Sequence, residues 1–298
     1  MNVVEQIITF EGVSIKIKRE DLLHPYVSGN KFRKLKYNLI EAKKLKRDTL
    51  ITFGGAFSNH ILATAAAGHE NNFKTVGIIR GEELSEKIDQ NPTLKKAAEF
   101  GMNFEFVTRE EYRKKTTNEF LDNLTKRYNN FYLLPEGGTN SLAIKGCEEI
   151  LNKDDLTFNH ICCAVGTGGT ISGIINSSSS NQKVWGFPAL KGSFLTEDIR
   201  KFANKDNWEL VEGFDFGGYG KVSEELIFFI NDFYSKYKIP LDPVYTGKMM
   251  FGVFENIKKG FFKKEEKILV IHTGGLQGID GMNIALKNKN YNLIQFND

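Results

Sequence analysis

The sequence predicts an α/β protein in which parallel β-sheets are covered by helices. Apolar, strand-like segments alternate with helix-like segments from about Thr49 onward, which is typical of parallel sheets with helical connections. Three of the strand-like segments run into glycine-rich loops, at 53–60, 165–173 and 271–278. Parallel α/β sheets bind their ligands at the carboxyl ends of the strands, so the three loops together predict one ligand site.

The first half of the chain contains four strand-like segments with helix-like segments between them. Apolar runs predict the strands, and alanine-rich or amphipathic runs predict the helices. Asn91 and Pro92 are typical of an N-cap and a first helical turn, and Gly101 is typical of a helix end. The predicted strands are 49–55, 74–79, 104–107 and 131–134, and the predicted helices are 58–69, 91–100 and 117–128.

The second half of the chain repeats this alternation. Its clearest helical segment is 223–237, where Leu226, Phe229, Ile230 and Phe233 lie on one side of a helix. A further helix is predicted at 142–151, and strands are predicted at 160–165, 183–187, 209–211 and 267–271.

The charge of the chain is nearly balanced, which argues against two classes of partner. The 298 residues include 40 basic and 37 acidic side chains, a formal net charge of +3, so neither nucleic acid nor a membrane surface is expected. The basic stretches 31–36 and 43–47 are interpreted as solvated helix faces. No run of about 18 apolar residues is present to span a bilayer, and the first twelve residues lack the pattern of a secretory signal.

Three cysteines, Cys147, Cys162 and Cys163, give no pattern typical of a metal centre. Neighbouring residues of a strand point to opposite faces, so Cys162 and Cys163 cannot readily share a metal ion. We therefore predict no metal site, and we expect buried free thiols in a reducing cytosol.

The loop ValGlyThrGlyGlyThrIleSerGly, residues 165–173, predicts a phosphate site. It joins an apolar strand to a helix, and small residues there let backbone N–H groups converge where the helix dipole favours an anion. Ile171 stands where a dinucleotide-binding motif needs glycine, and no GlyLys[Ser/Thr] follows for a nucleoside triphosphate loop. A single phosphate group is therefore expected, with a tight turn that binds nothing as the alternative.

Three further segments present polar groups at the same predicted edge. Ser58 is a candidate helix N-cap, and it would either bind a carboxylate with its neighbours or only cap the helix. Lys31 follows the turn SerGlyAsn and begins a helical pattern. A lysine with a lowered pKa there could be a Schiff-base nucleophile, whereas an ordinary one would be solvated. Tyr245 and Thr246 lie in a loop at 242–248 that could equally be plain surface.

Taken in order, these segments resemble the 1-aminocyclopropane-1-carboxylate (ACC) deaminase and D-cysteine desulfhydrase family, in the tryptophan-synthase-β-like class of pyridoxal 5′-phosphate (PLP) enzymes. The resemblance runs from LysArgGluAspLeu at 18–22 to HisThrGlyGly at 272–275. It implies PLP as cofactor and two α/β domains, each a parallel sheet between helical layers. Residues 1–33 and 136–298 would form the larger, PLP-binding domain, and residues 34–135 a smaller inserted domain.

The resemblance also implies roles for individual residues. The expected cofactor-binding residues are Lys31 for the Schiff base, Gly166, Thr167, Gly168, Gly169 and Thr170 for the phosphate, Asn59 for the phenolic oxygen and Thr273 for the pyridine nitrogen. The expected catalytic residues are Lys31, Ser58, Tyr219 and Tyr245, and the expected substrate-binding residues are Ser58, Asn59, His60 and Thr246. A threonine hydroxyl cannot protonate the pyridine ring as a carboxylic acid would, and an unprotonated ring favours elimination over transamination.

Two positions favour D-cysteine as the substrate. ACC deaminases resemble one another in SerAsnGln and TyrGluGly, where this sequence has His60 and Thr246. Phe57 stands where these proteins commonly carry glutamine. The expected protein is a cytoplasmic enzyme, a homodimer by resemblance, that converts D-cysteine to pyruvate, sulfide and ammonia. The alternatives are an ACC deaminase that forms 2-oxobutanoate, a non-catalytic protein binding an amino acid or PLP on the same fold, and a nucleotide-binding α/β enzyme.

Overall fold

The computed structural model describes residues 3–192 and 194–296 and contains two β-sheets with helices packed against both faces of each. The strands are β1 (Glu5–Phe10), β2 (Val13–Lys18), β3 (Thr49–Gly54), β4 (Lys74–Arg80), β5 (Met102–Val107), β6 (Phe131–Leu134), β7 (His160–Val165), β8 (Lys183–Pro188), β9 (Trp208–Leu210) and β10 (Ile268–Ile271). The α-helices are α1 (Asn30–Lys44), α2 (Asn59–Glu70), α3 (Pro92–Glu99), α4 (Arg109–Arg113), α5 (Asn118–Arg127), α6 (Ser141–Cys147), α7 (Gly169–Ser177), α8 (Phe194–Arg200), α9 (Glu224–Tyr237), α10 (Thr246–Lys258) and α11 (Ile279–Lys287).

The smaller sheet has the strand order β5-β4-β3-β6, and all its strands are parallel. Its strands agree with those predicted from the apolar runs of the first half. The predicted N-cap is also confirmed, because the Asn91 side chain accepts a hydrogen bond from the N–H of Leu94, with Pro92 in the first turn. Helices α1, α2 and α3 bury one face of this sheet and α4 and α5 the other.

The larger sheet has the strand order β1-β2-β10-β7-β8-β9. Five strands are parallel, as predicted, but β1 pairs with β2 in the antiparallel direction. The reason is local, since Glu11 and Gly12 have φ angles of 50° and 79°. A two-residue turn with both residues in this region forms a hairpin, and two residues cannot connect parallel strands.

The division into two domains at residues 34 and 135 stays a prediction. All four strands of the smaller sheet lie between 49 and 134, and the other six lie outside that range. Helix α1 crosses the first predicted boundary, however. Its residues Leu35 and Ala42 pack into the core of the smaller sheet, while its first turn lies beside the end of β10.

Helix α1 is held at its start by a close approach of two backbones. Gly29 has a φ of 59°, and a side chain there would collide with the carbonyl of Thr273. The N–H of Asn30 donates to that same carbonyl at 3.2 Å. One turn further, the Arg33 guanidinium forms buried bonds of 2.8 and 2.9 Å with the carboxylate of Glu20. These contacts fix the helix that carries Lys31 against the edge of the larger sheet.

The three cysteines are free and buried, as predicted. Burial raises the pKa of the Cys147 thiol to about 11, and it also raises the pKa of Cys162 and Cys163. Among the described residues, no helix is both long and apolar enough to cross a membrane.

Replacing Gly146 with alanine is expected to lower the free energy of unfolding by about 1–3 kcal/mol, the usual range for overpacking. A Cβ at Gly146 in α6 would collide with the backbone carbonyl of Arg33 in α1. Alanine favours an isolated helix over glycine, so propensity alone predicts the opposite sign. Urea unfolding followed by circular dichroism measures the change. Ser235→Ala, at an exposed position of α9, is the control and should change stability by a few tenths at most. Equal stability of Gly146→Ala and the wild type would contradict the close helix contact.

Candidate active site

A cavity of about 560 Å³ lies where strands of both sheets end, and its wall contains nearly all the predicted site residues. Those that line it are Lys31, Ser58, Asn59, His60, Gly166, Thr167, Gly168, Gly169, Thr170, Tyr219, Tyr245 and Thr273. They come from segments more than 200 residues apart in the sequence, and the carboxyl ends of parallel strands bring them together. Thr246 is the one predicted site residue that does not line this cavity.

The loop after β7 forms the part of the wall predicted to bind phosphate. Gly168 has a φ of 80°, and α7 begins at the next residue. A side chain at Gly169 would lie 2.7 Å from the hydroxyl of Thr139, and one at Gly166 would lie 3.1 Å from the ring of Tyr245. Only glycine fits this close approach. The N–H groups of the first turn of α7 have no acceptor within the helix, so they can bind an anion.

Lys34 is a functional candidate that the sequence analysis missed. Its ammonium donates to the carbonyl of Gly137 and the hydroxyl of Thr139, both at 3.0 Å, and lies 3.5 Å from the hydroxyl of Thr167 in the glycine loop. The interpretation of 31–36 as a solvated face is wrong at this point, because Lys34 is only 2% exposed. Its position three residues after Lys31 puts both lysines on one side of α1, which is the signal that could have identified it.

Lys31 lies in the first turn of α1, with its side chain in the cavity wall. Burial holds the pKa of its amine well below the ordinary lysine value, and the charge of Lys34 lowers it further. Burial lowers the pKa of Lys34 as well. An amine in this state is available as the free base, which is the form that attacks an aldehyde or accepts a proton.

The start of α2 brings three predicted residues into the cavity. Ser58 is the N-cap, and its hydroxyl accepts a hydrogen bond of 3.4 Å from the N–H of Ile61. Among the described residues, neither Oδ1 of Asn59 nor Nδ1 of His60 has a hydrogen-bond partner, although both atoms are buried. Burial, and then the charges of the two lysines, lower the pKa of His60 well below the ordinary histidine value. This part of the cavity wall therefore presents neutral polar atoms that lack hydrogen-bond partners among the described residues.

The two predicted tyrosines face each other at another part of the wall. Their ring centres are 6.2 Å apart in an edge-on arrangement, with Tyr219 about half exposed and Tyr245 more deeply placed. Burial raises the pKa of Tyr245 well above the ordinary tyrosine value, and the interaction with Tyr219 raises this pKa further. The Tyr245 phenol therefore stays protonated and can donate a proton.

The loop before Tyr245 is fixed by the buried carboxylate of Asp242. Its oxygens accept hydrogen bonds of 2.7–3.0 Å from the N–H groups of Val244, Tyr245 and Thr246. The Thr246 hydroxyl donates to the same carboxylate at 2.8 Å and is fully buried. Thr246 is thus turned into the protein, because its hydroxyl also accepts a hydrogen bond of 2.9 Å from the N–H of Asp242 and so bonds to Asp242 rather than facing the cavity.

Lys248 is a second residue that sequence reasoning missed. It lies one turn after Tyr245, is 1% exposed, and donates to the carbonyls of Asp215 and Gly218 at 2.7 and 2.8 Å. These carbonyls belong to the glycine-rich loop that carries Tyr219, in which Gly217 and Gly218 both have positive φ angles. Burial lowers the pKa of Lys248 to about 8. The only signal in the sequence was its spacing from Tyr245.

The residues of this cavity fit PLP. The cofactor has one phosphate and one aldehyde, and the cavity has one glycine-rich helix start beside the ammonium of Lys34 and one deprotonatable amine on Lys31. Lys34 has only neutral hydrogen-bond partners among the described residues. A buried ammonium without a carboxylate is stabilised by an anionic ligand, and the phosphate would supply that charge.

Comparison with known proteins agrees with this geometry. The family model "Pyridoxal-phosphate dependent enzyme" matches residues 5–274. The chain is 34% identical to the "Bifunctional D-cysteine desulfhydrase/1-aminocyclopropane-1-carboxylate deaminase, mitochondrial" of Arabidopsis thaliana, over 90% of this chain and 74% of the plant protein. It is 29% identical to a "D-cysteine desulfhydrase" of Klebsiella pneumoniae (strain 342), over 89% of this chain and 87% of that protein.

A solved structure gives the same result for the fold. The crystal structure of an "ACC deaminase homologue" superposes with a TM-score of 0.80 at 27% identity, over 92% of this chain and 89% of the other. The expected tryptophan-synthase-β-like α/β fold and the expected cofactor, PLP, are therefore confirmed. The alternative of a nucleotide-binding α/β enzyme is set aside. On the match of 5–274 and on the identity with its relatives, this chain belongs to the family of pyridoxal-phosphate dependent enzymes.

Proposed function

We propose that this protein is a PLP-dependent deaminating lyase that converts D-cysteine to pyruvate, sulfide and ammonia. The observation that carries the proposal is one cavity that contains Lys31, the two tyrosines and the glycine-rich loop together. An intact set of these residues favours an enzyme over a non-catalytic protein on the same fold. Relatives named D-cysteine desulfhydrase or bifunctional desulfhydrase and deaminase support the choice of reaction.

Each part of the cavity has a role in this proposal. The N–H groups at the start of α7, with the ammonium of Lys34, would hold the cofactor's phosphate. Asn59 would contact its phenolic oxygen and Thr273 its pyridine nitrogen. Bound PLP withdraws electrons from the α-carbon of the amino acid, which makes the α-proton acidic. A threonine rather than an acid near the pyridine nitrogen favours elimination.

The residues around the substrate would bind it and move its protons. Ser58, Asn59 and His60, at the start of α2, would hold the carboxylate with N–H groups and neutral polar side chains. The amine of Lys31 would take the α-proton, as its lowered pKa permits. The phenol of Tyr245, with Tyr219 beside it, would give a proton to the departing sulfur.

ACC deamination is the second candidate. It is supported by the bifunctional plant relative and by relatives named as putative ACC deaminases. D-cysteine is placed first because the position after Tyr245 offers no carboxylate, and the Thr246 hydroxyl is bonded to Asp242 instead of facing the cavity. Ring opening of ACC, which lacks an α-hydrogen, would need another acid beside the tyrosine.

The enzyme is further proposed to be a cytoplasmic homodimer whose two α/β domains close over the substrate and exclude water. Three free buried thiols are consistent with a reducing compartment. The division at residues 34 and 135 belongs to this proposal too. Sedimentation at several protein concentrations measures the oligomeric state.

Turnover of D-cysteine is expected to exceed turnover of ACC by at least tenfold in kcat/KM. The expected reason is that position 246, directly after Tyr245, carries a threonine and not a carboxylate. Pyruvate from D-cysteine and 2-oxobutanoate from ACC are both measured by a coupled dehydrogenase assay on the same PLP-loaded preparation. Rapid opening of ACC with no pyruvate from D-cysteine would overturn the first choice and establish the second.

The rate at which PLP-free protein takes up PLP covalently is expected to rise with pH and to level off well below pH 10.5. Only a neutral amine attacks the aldehyde, and the lowered pKa of Lys31 makes it neutral at lower pH than an ordinary lysine. The rise of the visible absorption measures the rate, and borohydride, which reduces the adduct to a stable amine and removes that absorption, shows that the cofactor is covalently attached. Lys31→Ala should show no fixable adduct and lose roughly 10²–10⁴-fold or more of its turnover. A rate still climbing at pH 10 would contradict the lowered pKa.

Lys248→Met is expected to loosen the loop that carries Tyr219 and to lower kcat by about tenfold. The substitution removes the two buried hydrogen bonds that the Lys248 ammonium donates, while methionine keeps most of the side-chain volume. Amide hydrogen exchange in residues 213–221 is expected to become faster, and the absorption of bound PLP is expected to be retained. Both quantities are measured on the same variant. Lys236→Met, at an exposed position of α9 where the lysine pairs with Asp232, is the control. Unchanged exchange in that loop would show that Lys248 does not hold it.

A further inference from the structure

A second cavity, of about 540 Å³, adjoins the active-site cavity at the carboxyl edge of the smaller sheet. The two cavities share five wall residues, Gly55, Ala56, Phe57, Arg80 and Glu136. A substrate bound near Lys31 therefore has a route for its side chain past these residues.

The second cavity is positively charged. Arg109 pairs with Glu83 at 3.0 Å, and Lys115 pairs with Glu136 at 3.2 Å. Its other two basic residues, Arg80 and Arg113, have no acidic partner within 4.0 Å among the described residues, so two positive charges remain uncompensated. Such a chamber attracts anions and repels cationic groups.

Of the two charged groups on the wall between the two cavities, Glu136 pairs with Lys115, and the other, with no acidic partner within 4.0 Å among the described residues, is Arg80. It is the last residue of β4, and its guanidinium lies over the ring of Tyr112 at 5.7 Å from the ring centre. Tyr112 is itself held, because its hydroxyl donates to Glu136 at 2.8 Å. The Arg80 guanidinium also lies 3.7 Å from the place of a Cβ on Gly55, in the loop that leads to Ser58. The guanidinium of this exposed side chain thus lies over a ring, while its N–H groups have no acceptor among the described residues.

Phe57 stands beside Arg80 in the shared wall. Its ring packs so closely on α11 that a side chain at Gly281 would collide with it. About half of the Phe57 side chain remains exposed. A substrate side chain that reaches this wall meets both an apolar ring and a guanidinium with free donors. This combination suits a short chain that ends in an oxyanion, because guanidinium N–H groups bind phosphate or carboxylate in pairs.

We infer that Arg80 binds an anionic group at the end of the substrate's side chain, so that the enzyme eliminates an oxyanion leaving group from β-substituted D-amino acids. This inference rests on the proposed function, since the same Lys31 and tyrosines perform the reaction. It adds a substrate class, the β-phosphate ester of a D-amino acid, and a specificity-determining residue.

The reaction needs no redox partner. Lys31 takes the α-proton, the bond between Cβ and the ester oxygen breaks, and its electron pair leaves with phosphate. The resulting 2-aminoacrylate tautomerises to an imine, and one water molecule hydrolyses the imine to pyruvate and ammonia. The sum is O-phospho-D-serine plus water giving pyruvate, ammonia and phosphate.

The test compares O-phospho-D-serine with O-acetyl-D-serine, which also leaves through oxygen but carries no charge on its side chain. Pyruvate release by the PLP-loaded enzyme gives kcat/KM for both, with D-cysteine as the reference for the proposed function. In Arg80→Gln, the ratio of the phosphate ester to the acetate ester is expected to fall about 10- to 100-fold, the loss of one charge-assisted contact. Arg47→Gln is the matched control, because Arg47 lies before β3 at the opposite edge of the same sheet and the change in net charge is identical. The ratio in this control is expected to stay within twofold of the wild type.

The outcomes separate the two proposals. A ratio that falls in Arg80→Gln and not in Arg47→Gln supports the inference. Equal losses for both esters would overturn it and place Arg80 at the α-carboxylate instead. No turnover of the phosphate ester by wild-type enzyme that turns over D-cysteine would also overturn it. If the wild-type enzyme turned over neither D-cysteine nor either ester, the proposed function itself would be contradicted.

Discussion

The structure depends on two lysines in the cavity wall, the buried Lys34 and the partly buried Lys31, for which no carboxylate lies within 4.0 Å among the described residues. Lys31 and Lys34 occupy neighbouring turns of one helix, and the described partners of Lys34 are carbonyls and hydroxyls. Placing two amines in one low-dielectric cavity is unfavourable unless they lose protons or gain an anion. The glycine-rich loop after β7 provides the binding site for that anion. The chain therefore encodes a cavity whose electrostatics are completed only by its phosphate-bearing cofactor.

The contacts that hold α1 explain why the protein can sustain this arrangement. The backbone of Gly29 lies against Thr273, and the side chain of Asn30 donates to the hydroxyl of Thr170 at 2.8 Å. Further along, a buried ion pair joins Arg33 to Glu20. Such a pair adds little net stability, but breaking it leaves a lone buried charge. Its value here is positional, because it fixes the direction from which both lysines enter the cavity.

Strands and helices could be predicted from periodicity because burial on both faces gives a parallel strand a continuous apolar run. The β1–β2 hairpin was not predicted, since its exposed edge strand lacks such a run. At the site, glycine spacing and the family resemblance predicted residues that line one cavity, and the roles of these residues stay predictions. Lys34, Lys248 and Arg80 were missed because a basic residue in a sequence shows neither its depth nor its partners. For the same reason Thr246 was expected in the cavity, although its hydroxyl had a nearer acceptor in Asp242.

The burial of the three cysteines has a chemical consequence for an enzyme that would release sulfide. Sulfide converts a cysteine to a persulfide only after the cysteine has been oxidised to a sulfenic acid or a disulfide, and thiolates, rather than thiols, undergo that oxidation. A pKa of about 11 at Cys147, and raised values at Cys162 and Cys163, keep all three protonated at physiological pH. The three thiols would thereby resist modification by the sulfide that the proposed reaction releases.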